Sequence, residues 1–225
     1  MEAVKKIDRA ALKKMAKGQL KGNWGWAVCL TLVSAVILGI LNGWPAFFTV
    51  SDDNSINNVA VVLDVFGGIL GGLITAGIAY TYLKFVDRKE KANVFSGVFA
   101  GFTKGRFIPT FLTTFLTALF AALWTLLLII PGIIKYYSYA MAPYILKDLL
   151  DAGKDPAPTE AISKSKELMV GHKWELFVLE LSFIGWYLLG FVTLGIGLLW
   201  VVPYYNAVHA DYYRALAGDQ FKSKD

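Results

Sequence analysis

Residues 107–130 read FIPTFLTTFLTALFAALWTLLLII, an apolar run without a charged side chain. A helix rises about 1.5 Å per residue, so this run is long enough to cross a hydrocarbon core of about 30 Å. Pro131 and Gly132 follow directly and predict a tight turn, because proline interrupts a helix and glycine tolerates a positive φ. The chain then returns through a shorter run, residues 133–146. This stretch therefore predicts a transmembrane helical hairpin.

The rest of the chain has the same character. Of its 225 residues 56% are hydrophobic and only 17% are charged, which leaves more apolar surface than a soluble domain of this size can bury. Further apolar runs span residues 24–42 and 59–83. The run 174–213 is too long for one crossing and is divided by the glycine-rich residues 193–197. We therefore predict an all-α polytopic membrane protein with six transmembrane helices.

The positive charges are distributed asymmetrically. The chain has 22 Lys and Arg residues, and all except Lys135 fall in segments that this arrangement places on one side of the membrane. The opposite connection, residues 43–58, contains Asp52 and Asp53 but no Lys or Arg. The positive-inside rule then predicts a multi-pass protein of the cell membrane with both termini in the cytoplasm. Because the basic residues flank apolar runs and form no single patch, nucleic-acid binding is not expected.

An internal repeat divides the single domain, residues 1–225, into three hairpins. Each outward run is preceded by an amphipathic stretch that ends in glycine and is followed by an aromatic residue; these pairs are Gly22 and Trp24, Gly105 and Phe107, and Gly171 and Trp174. We predict a basic amphipathic helix at 1–22, hairpin 1 at 24–83, and an interfacial helix with its hairpin at 93–146 and again at 156–215. In the last two stretches, one helical face collects Val94, Phe95, Val98, Phe99 and Phe102, or Ala161, Ile162, Ser165, Leu168 and Met169. Such helices are expected to lie at the cytoplasmic headgroup level, and each glycine is expected to end its helix in a left-handed turn.

The amino-terminal stretch is predicted to bind the membrane surface. Basic residues recur at every fourth position, opposite an apolar seam of Val4, Ile7, Ala11 and Met15; they are Lys5, Arg9, Lys13, Lys17 and Lys21. Like charges at this spacing repel each other, and an anionic leaflet relieves the repulsion by about 1 kcal/mol per basic residue. Anionic membrane lipids are the expected partners. The alternative is a solvated tail.

Four stretches carry a resemblance to known sequences: LWTLLLIIPGIIK at 123–135, YAMAPYILKD at 139–148, EAISKSKELMVGHKW at 160–174 and LSFIGW at 181–186. They resemble a family of small integral membrane proteins of Gram-positive bacteria that is known only as a domain of unknown function. The chain is also similar, more distantly, to the membrane domain attached to some glycerophosphodiester phosphodiesterases. The resemblance implies a topology. It implies no phosphodiesterase activity, because no such catalytic domain is present.

Ionisable groups within spanning segments are costly, so each one marks a candidate site. Asp64 and Lys135 are predicted at similar depth, where they form a structural pair, line a ligand or ion site, or make no contact. Tyr139, with Tyr136 and Tyr137, suits an outer aromatic belt or a headgroup cage. A second candidate is a small polar pocket formed by Glu180, His209 and Asp211 with nearby tyrosines. There, an interior hydrogen-bonded pair is favoured over a proton relay.

Four glycines on the second predicted helix allow another helix to approach closely: Gly67, Gly68, Gly71 and Gly72. The neighbouring helix belongs either to the same chain or, as the second possibility, to another copy in a homodimer.

The sequence contains no recognisable catalytic set. The sequence has two histidines and one cysteine, without the spacing of metal ligands, so we predict no metal site and no pair of nucleophile and base. It also has no phosphate-binding loop, so no cofactor is expected. We therefore expect a non-enzymatic protein with an accessory or protective role that involves lipid or an amphipathic peptide. The alternatives are a small transporter or channel built from repeated hairpins and, third, a membrane-embedded lipid-modifying enzyme.

Overall fold

The computed structural model describes residues 7–43, 58–103 and 105–222, and within these ranges every regular element is helical. The elements are α1 (Arg9–Leu20), α2 (Trp24–Gly43), α3 (Asn58–Arg88), α4 (Val94–Val98), a 3₁₀ turn (Ala100–Phe102), α5 (Phe107–Leu127), α6 (Ile129–Tyr139), α7 (Ala142–Asp151), α8 (Glu160–Leu168), α9 (Lys173–Leu181), α10 (Ile184–Val192) and α11 (Leu198–Ala217).

Four helical stretches in the described ranges are long and apolar enough to cross a membrane. They are Trp24–Leu41, Val62–Arg88, Phe107–Leu127 and Lys173–Val192. The predicted fourth crossing is divided between α6 and α7, where Pro143 lies in the first turn of the new helix. The predicted sixth, α11, continues through Pro203 but carries the polar residues His209, Asp211 and Arg214 in its second half. The prediction of an all-α chain with membrane-length helices is confirmed.

The tip of the hairpin between α5 and α6 differs from the prediction. The chain turns at Leu128, whose backbone is extended, and Pro131 and Gly132 lie in the first turn of α6. Proline is tolerated there because the first amides of a helix have no intrahelical acceptor. A side chain at position 132 would collide with Thr125, so glycine serves the close approach of α5 and α6.

The three repeat glycines adopt the predicted left-handed conformation. Gly22, Gly105 and Gly171 have φ of 80°, 84° and 81°. The next helices begin within two residues of them, at Trp24, Phe107 and Lys173. Each glycine therefore turns the chain into the following apolar helix, since other residues adopt this conformation only with strain.

The amphipathic helices pack against the protein itself. In α1 the buried residues are Leu12, Ala16 and Leu20, which face α11, whereas Ala11 is exposed and Met15 is 47% exposed. Of the predicted seam, Ile7 is buried and Val4 lies outside the described residues, but the prediction was wrong for Ala11 and Met15, because α11 covers a different strip of the helix. The apolar face of α8 is also buried in the protein, through Ala161, Ile162, Ser165 and Met169. In the second stretch, Phe95 and Phe99 remain exposed beside the short helix α4.

Three of the four predicted packing glycines contact neighbouring helices of the same chain. An added Cβ would lie 2.8 Å from the Leu41 carbonyl oxygen at Gly67, 3.4 Å from Leu38 at Gly71 and 2.7 Å from Thr114 at Gly72. No atom lies within 4 Å of such a position at Gly68. The intramolecular interpretation accounts for this surface, and a homodimer through it stays a prediction.

The buried core lies towards the end of the bundle that contains the carboxyl ends of α3, α7 and α11. Its largest buried side chains include Tyr82, Phe85, Tyr212 and Tyr213. At the hairpin tips, by contrast, Leu126 is 87% exposed and Leu194 is 94% exposed. The tips therefore present apolar surface, while the opposite end is packed and carries the polar clusters described next.

Candidate functional site

A polar cluster centred on Glu180 joins three helices. Tyr137 of α6 donates to Glu180 Oε2 at 2.7 Å, and Tyr205 of α11 donates to Glu180 Oε1 at 3.0 Å. His209, one turn after Tyr205, places Nε2 3.5 Å from the same Oε1 and is only 7% exposed. The predicted proximity of Glu180 and His209 is therefore found in the structure.

The chemistry of this cluster is that of an interior anchor. Both phenols donate to the carboxylate of Glu180, which ties α6 and α11 to α9. The rings of Tyr205 and His209 lie 4.1 Å apart between centroids, which further encloses the imidazole. Removing one partner would leave a buried polar atom unpaired, which is costly in a low-dielectric interior.

Asp211, predicted to belong to the same pocket, faces the opposite way. Its Oδ1 accepts a hydrogen bond of 3.0 Å from Gln19 of α1. Tyr204 also contacts α1 by donating to the backbone oxygen of Lys13 at 3.2 Å. Successive helical residues point in different directions, so residues 209 and 211 of α11 serve different neighbours. Asp211 therefore helps to attach α1 to α11.

The predicted pair of Asp64 and Lys135 is not formed. The Lys135 ammonium lies 4.5 Å from the centre of the Trp124 ring, and Asp64 is exposed with no ion pair to any residue in the described ranges. Tyr139 also does not lie in the predicted outer aromatic belt. It is 4% exposed and lies ten residues after the start of α6, about 15 Å from the tip, against Phe120.

A buried ionic network that the sequence analysis missed lies at the core end. Arg214 donates to both oxygens of Asp87 at 2.8 and 2.7 Å and to both oxygens of Asp148 at 3.0 and 3.1 Å. Tyr213 donates to Asp148 Oδ2 at 2.7 Å. This Arg214 network joins α3, α7 and α11. No sequence signal reveals it, because Asp87 and Arg214 are 127 positions apart.

An open groove of about 970 Å³ separates α1 from α9. Its lining combines charged and apolar side chains from the two helices, and it consists of Ile7, Asp8, Arg9, Ala10, Lys13, Trp174, Glu175, Val178 and Ser182. Two of the predicted membrane-surface residues, Arg9 and Lys13, line this groove, while Lys17 of α1 and Lys21, which follows α1, are exposed elsewhere. Lys5 lies outside the described residues.

The carboxylates of the groove already have partners. Asp8 accepts from the amides of Ala10 and Ala11 as the amino-terminal cap of α1, and Glu175 lies 2.8 Å from His172 Nδ1. Lys13 donates to Ser182 Oγ at 2.5 Å and has its ammonium 4.7 Å from the centre of the Phe183 ring. Burial lowers the pKa of Lys13, and the charge of Arg9 lowers it further. The two cations thus lie close together, and no carboxylate in the described part of the chain forms an ion pair with either.

Comparisons with known proteins identify one family. The family described as "Protein of unknown function (DUF975)" matches residues 1–138 and 125–220. No curated protein and no solved structure has significant similarity to the chain. The predicted resemblance to a family of unknown function is confirmed, while the more distant likeness to phosphodiesterase membrane domains stays a prediction. Because the two matches together span residues 1–220, the chain belongs to the DUF975 family.

Proposed function

We propose that the chain crosses the cytoplasmic membrane six times, as three hairpins with both termini inside, and acts there without catalysis in an accessory or protective role by binding anionic lipid. Support for the topology comes from the side chains that meet at one end of the bundle. Arg106 pairs with Asp151, and Arg214 bridges Asp87 and Asp148, so segments predicted to be cytoplasmic lie next to each other. Side-specific labelling of cysteines placed at Asn54 and Ser223, in a Cys29→Ser background, tests this topology. Reaction of both from the same compartment would refute it.

The observation that carries the proposed ligand is the chemistry of the groove between α1 and α9. One part of its lining presents Arg9 and Lys13, whose charge no groove carboxylate neutralises directly. Another part presents Val178 and the indole of Trp174, which is 71% exposed. A ligand with an anionic head and an apolar body matches both parts. Tryptophan is also the side chain that membrane proteins favour at the headgroup level.

The test compares lipid binding by groove variants in nanodiscs. The protein is reconstituted with phosphatidylcholine alone or with added phosphatidylglycerol, and co-purifying lipid and thermal stability are measured. We expect anionic lipid to be retained and to raise the melting temperature, and Arg9→Gln with Lys13→Gln to abolish most of this effect. Lys154→Gln, which removes an exposed charge away from the groove, is the matched control.

Equal retention of both lipids by the wild type, or equal behaviour of the groove and control variants, would contradict the proposal. Displacement of the lipid by an amphipathic peptide would assign the groove to the peptide instead.

Transport is the alternative function, and the Glu180 cluster is the observation that favours it, since it places a carboxylate and an imidazole together inside the bundle. Asp64 and Lys135 do not extend this cluster, because Lys135 lies on Trp124 and Asp64 is exposed. Flux through proteoliposomes that is lost in Glu180→Gln would support transport. Flux equal to that of protein-free liposomes would exclude it.

A further inference from the structure

A second cavity, separate from the groove, opens between the carboxyl end of α3, the short helix α4 and the helix α7. It has a volume of about 520 Å³, and an adjoining cavity of about 410 Å³ shares Lys84, Arg88, Lys147 and Asp151 with it. We call the larger one the α4 cleft. We propose that the α4 cleft binds a phosphate group, either as the headgroup of an anionic lipid or as a free phosphate compound. This proposal does not depend on the groove.

The α4 cleft carries an excess of positive charge. Among the described residues, four cations line it, Lys84, Arg88, Arg106 and Lys147, against one carboxylate, that of Asp151. Arg106 and Lys147 both bind that carboxylate, the latter at 2.6 Å, so two cations share one negative charge. Lys147 is only 5% exposed, and water therefore screens its charge weakly.

The charges of Lys84 and Arg88 are not neutralised by the carboxylate that lines the cleft. Lys84 pairs at 2.9 Å with Glu90, which does not line the cavity and has an exposed side chain. Arg88 is exposed and has no ion pair with any residue in the described ranges. Burial acts to raise the pKa of Asp151, but Lys147 and Arg106 outweigh it and hold the pKa below its ordinary value. Asp151 therefore stays ionised, and its carboxylate is already bound by Arg106 and Lys147.

The adjoining cavity has a smaller excess of positive charge. It contains two further carboxylates, Asp87 and Asp148, and both are bound by Arg214. Lys222 lies 3.7 Å from Asp87 and 2.8 Å from Asp219. Among the described residues, its lining therefore holds three carboxylates against four cations, which places the anion site on the α4 side.

The walls of the α4 cleft are held in place before any ligand arrives. A Cβ at Gly77 of α3 would lie 2.6 Å from the Val98 carbonyl oxygen, so α4 and the following turn lie directly on the α3 backbone. Thr81 fixes the contact by donating to the Gly97 carbonyl at 2.8 Å. Trp26 of α2 donates to the Ala92 carbonyl at 2.8 Å and fixes the segment just before α4. A preformed cavity loses little entropy on binding.

Phosphate fits these donors better than a carboxylate does. Arg88 and Arg106 come from different segments and each offers a planar set of N–H donors, while Lys84 adds a flexible ammonium. A tetrahedral group with several oxygens accepts from all three directions at once. Phe95 is 64% exposed on α4 and Ile108 is 65% exposed near the start of α5. They offer apolar surface for acyl chains if the phosphate belongs to a lipid.

The experiment measures binding of two probes to the detergent-solubilised full chain by calorimetry. One probe is inorganic phosphate and the other is short-chain phosphatidic acid, with phosphatidylcholine of equal chain length as the reference. We expect wild-type protein to bind at least one phosphate probe, and Arg88→Gln and Arg106→Gln each to weaken it about tenfold. Asp151→Asn removes the competing carboxylate and is expected to strengthen binding. Because Arg88 is exposed and unpaired, its variant keeps the test independent of folding.

The controls separate this site from general charge and from the groove. Lys154→Gln changes the net charge equally and is not expected to alter the affinity for either probe. Lys13→Gln lies in the groove, so it is not expected to alter the affinity for inorganic phosphate. Binding of phosphatidic acid alone that Arg88→Gln weakens assigns the cleft to lipid headgroups, and binding of inorganic phosphate that the same variant weakens assigns it to phosphate in general. The proposal is overturned if neither probe binds, or if Arg88→Gln and Arg106→Gln bind as tightly as the wild type.

Discussion

Replacement of Arg214 by glutamine tests whether the Arg214 network holds the core end together. The side chain of Asp148 is 3% exposed and that of Asp87 is 13% exposed, so both carboxylates would lose their main partner while nearly shielded from water. Breaking a buried ion pair by removing one member costs about 3–5 kcal/mol. Tyr213 would still donate to Asp148, and Lys222 would still lie near Asp87, so we expect the lower end, about 3 kcal/mol.

The assay is reversible unfolding of the detergent-solubilised protein, followed by tryptophan fluorescence and circular dichroism, with the free energy of unfolding as the measured quantity. Arg88→Gln is the matched control, because this arginine is exposed and unpaired within the described ranges, and it should change stability by less than about 0.5 kcal/mol. Arg214→Lys retains the charge but not the fork of donors, and should recover part of the loss. A loss below about 1 kcal/mol for Arg214→Gln would refute the reasoning.

Three further predictions concern the backbone and pH. Gly77→Ala places a methyl group 2.6 Å from the Val98 carbonyl oxygen and should lower stability by about 1–3 kcal/mol, whereas Gly68→Ala, with open space around it, should not; thermal unfolding measures both. Gly105→Ala, at φ 84°, should cost about 1 kcal/mol, while Gly25→Ala inside α2 should be neutral or stabilising. The pKa of Asp151 is lower in the folded protein than its ordinary value of 3.8. Its contribution to the free energy of unfolding is therefore fully present above pH 3.8 and is lost as the pH falls through the folded pKa. The stability difference between wild type and Asp151→Asn should therefore shrink at the acidic end of a melting series, and a difference that grows there would contradict this.

The features predicted correctly from the sequence are the local ones. An apolar run long enough to cross a membrane needs no partner to be recognised, and neither does a glycine between an amphipathic stretch and an aromatic residue. Gly22, Gly105 and Gly171 are therefore left-handed, as predicted. The proximity of Glu180 and His209 follows from hairpin geometry, because antiparallel neighbours place residues at equal distances from the connection next to each other.

The features predicted wrongly depend on which surface covers a residue. Periodicity identifies apolar strips on α1 but does not say which strip meets α11, and the structure buries Leu12 and Ala16 while Met15 stays exposed. Pro131 and Gly132 suggest a turn, yet the same residues also suit the first turn of a helix packed closely on its neighbour. The Arg214 network joins segments that are far apart in the sequence, and the spacing of residues within one segment cannot reveal such a pairing.

The distribution of burial explains why both proposed binding sites lie away from the hairpin tips. A lipid environment exerts no hydrophobic force between helices, so their outer halves have no need to bury apolar side chains such as Leu126 and Leu194. At the core end, water is excluded by packing, and each ionisable group there requires a partner. Around Lys147 the described residues provide more cations than carboxylates, although Lys147 itself pairs with Asp151. This excess of positive charge is the reason that we propose an anionic ligand there.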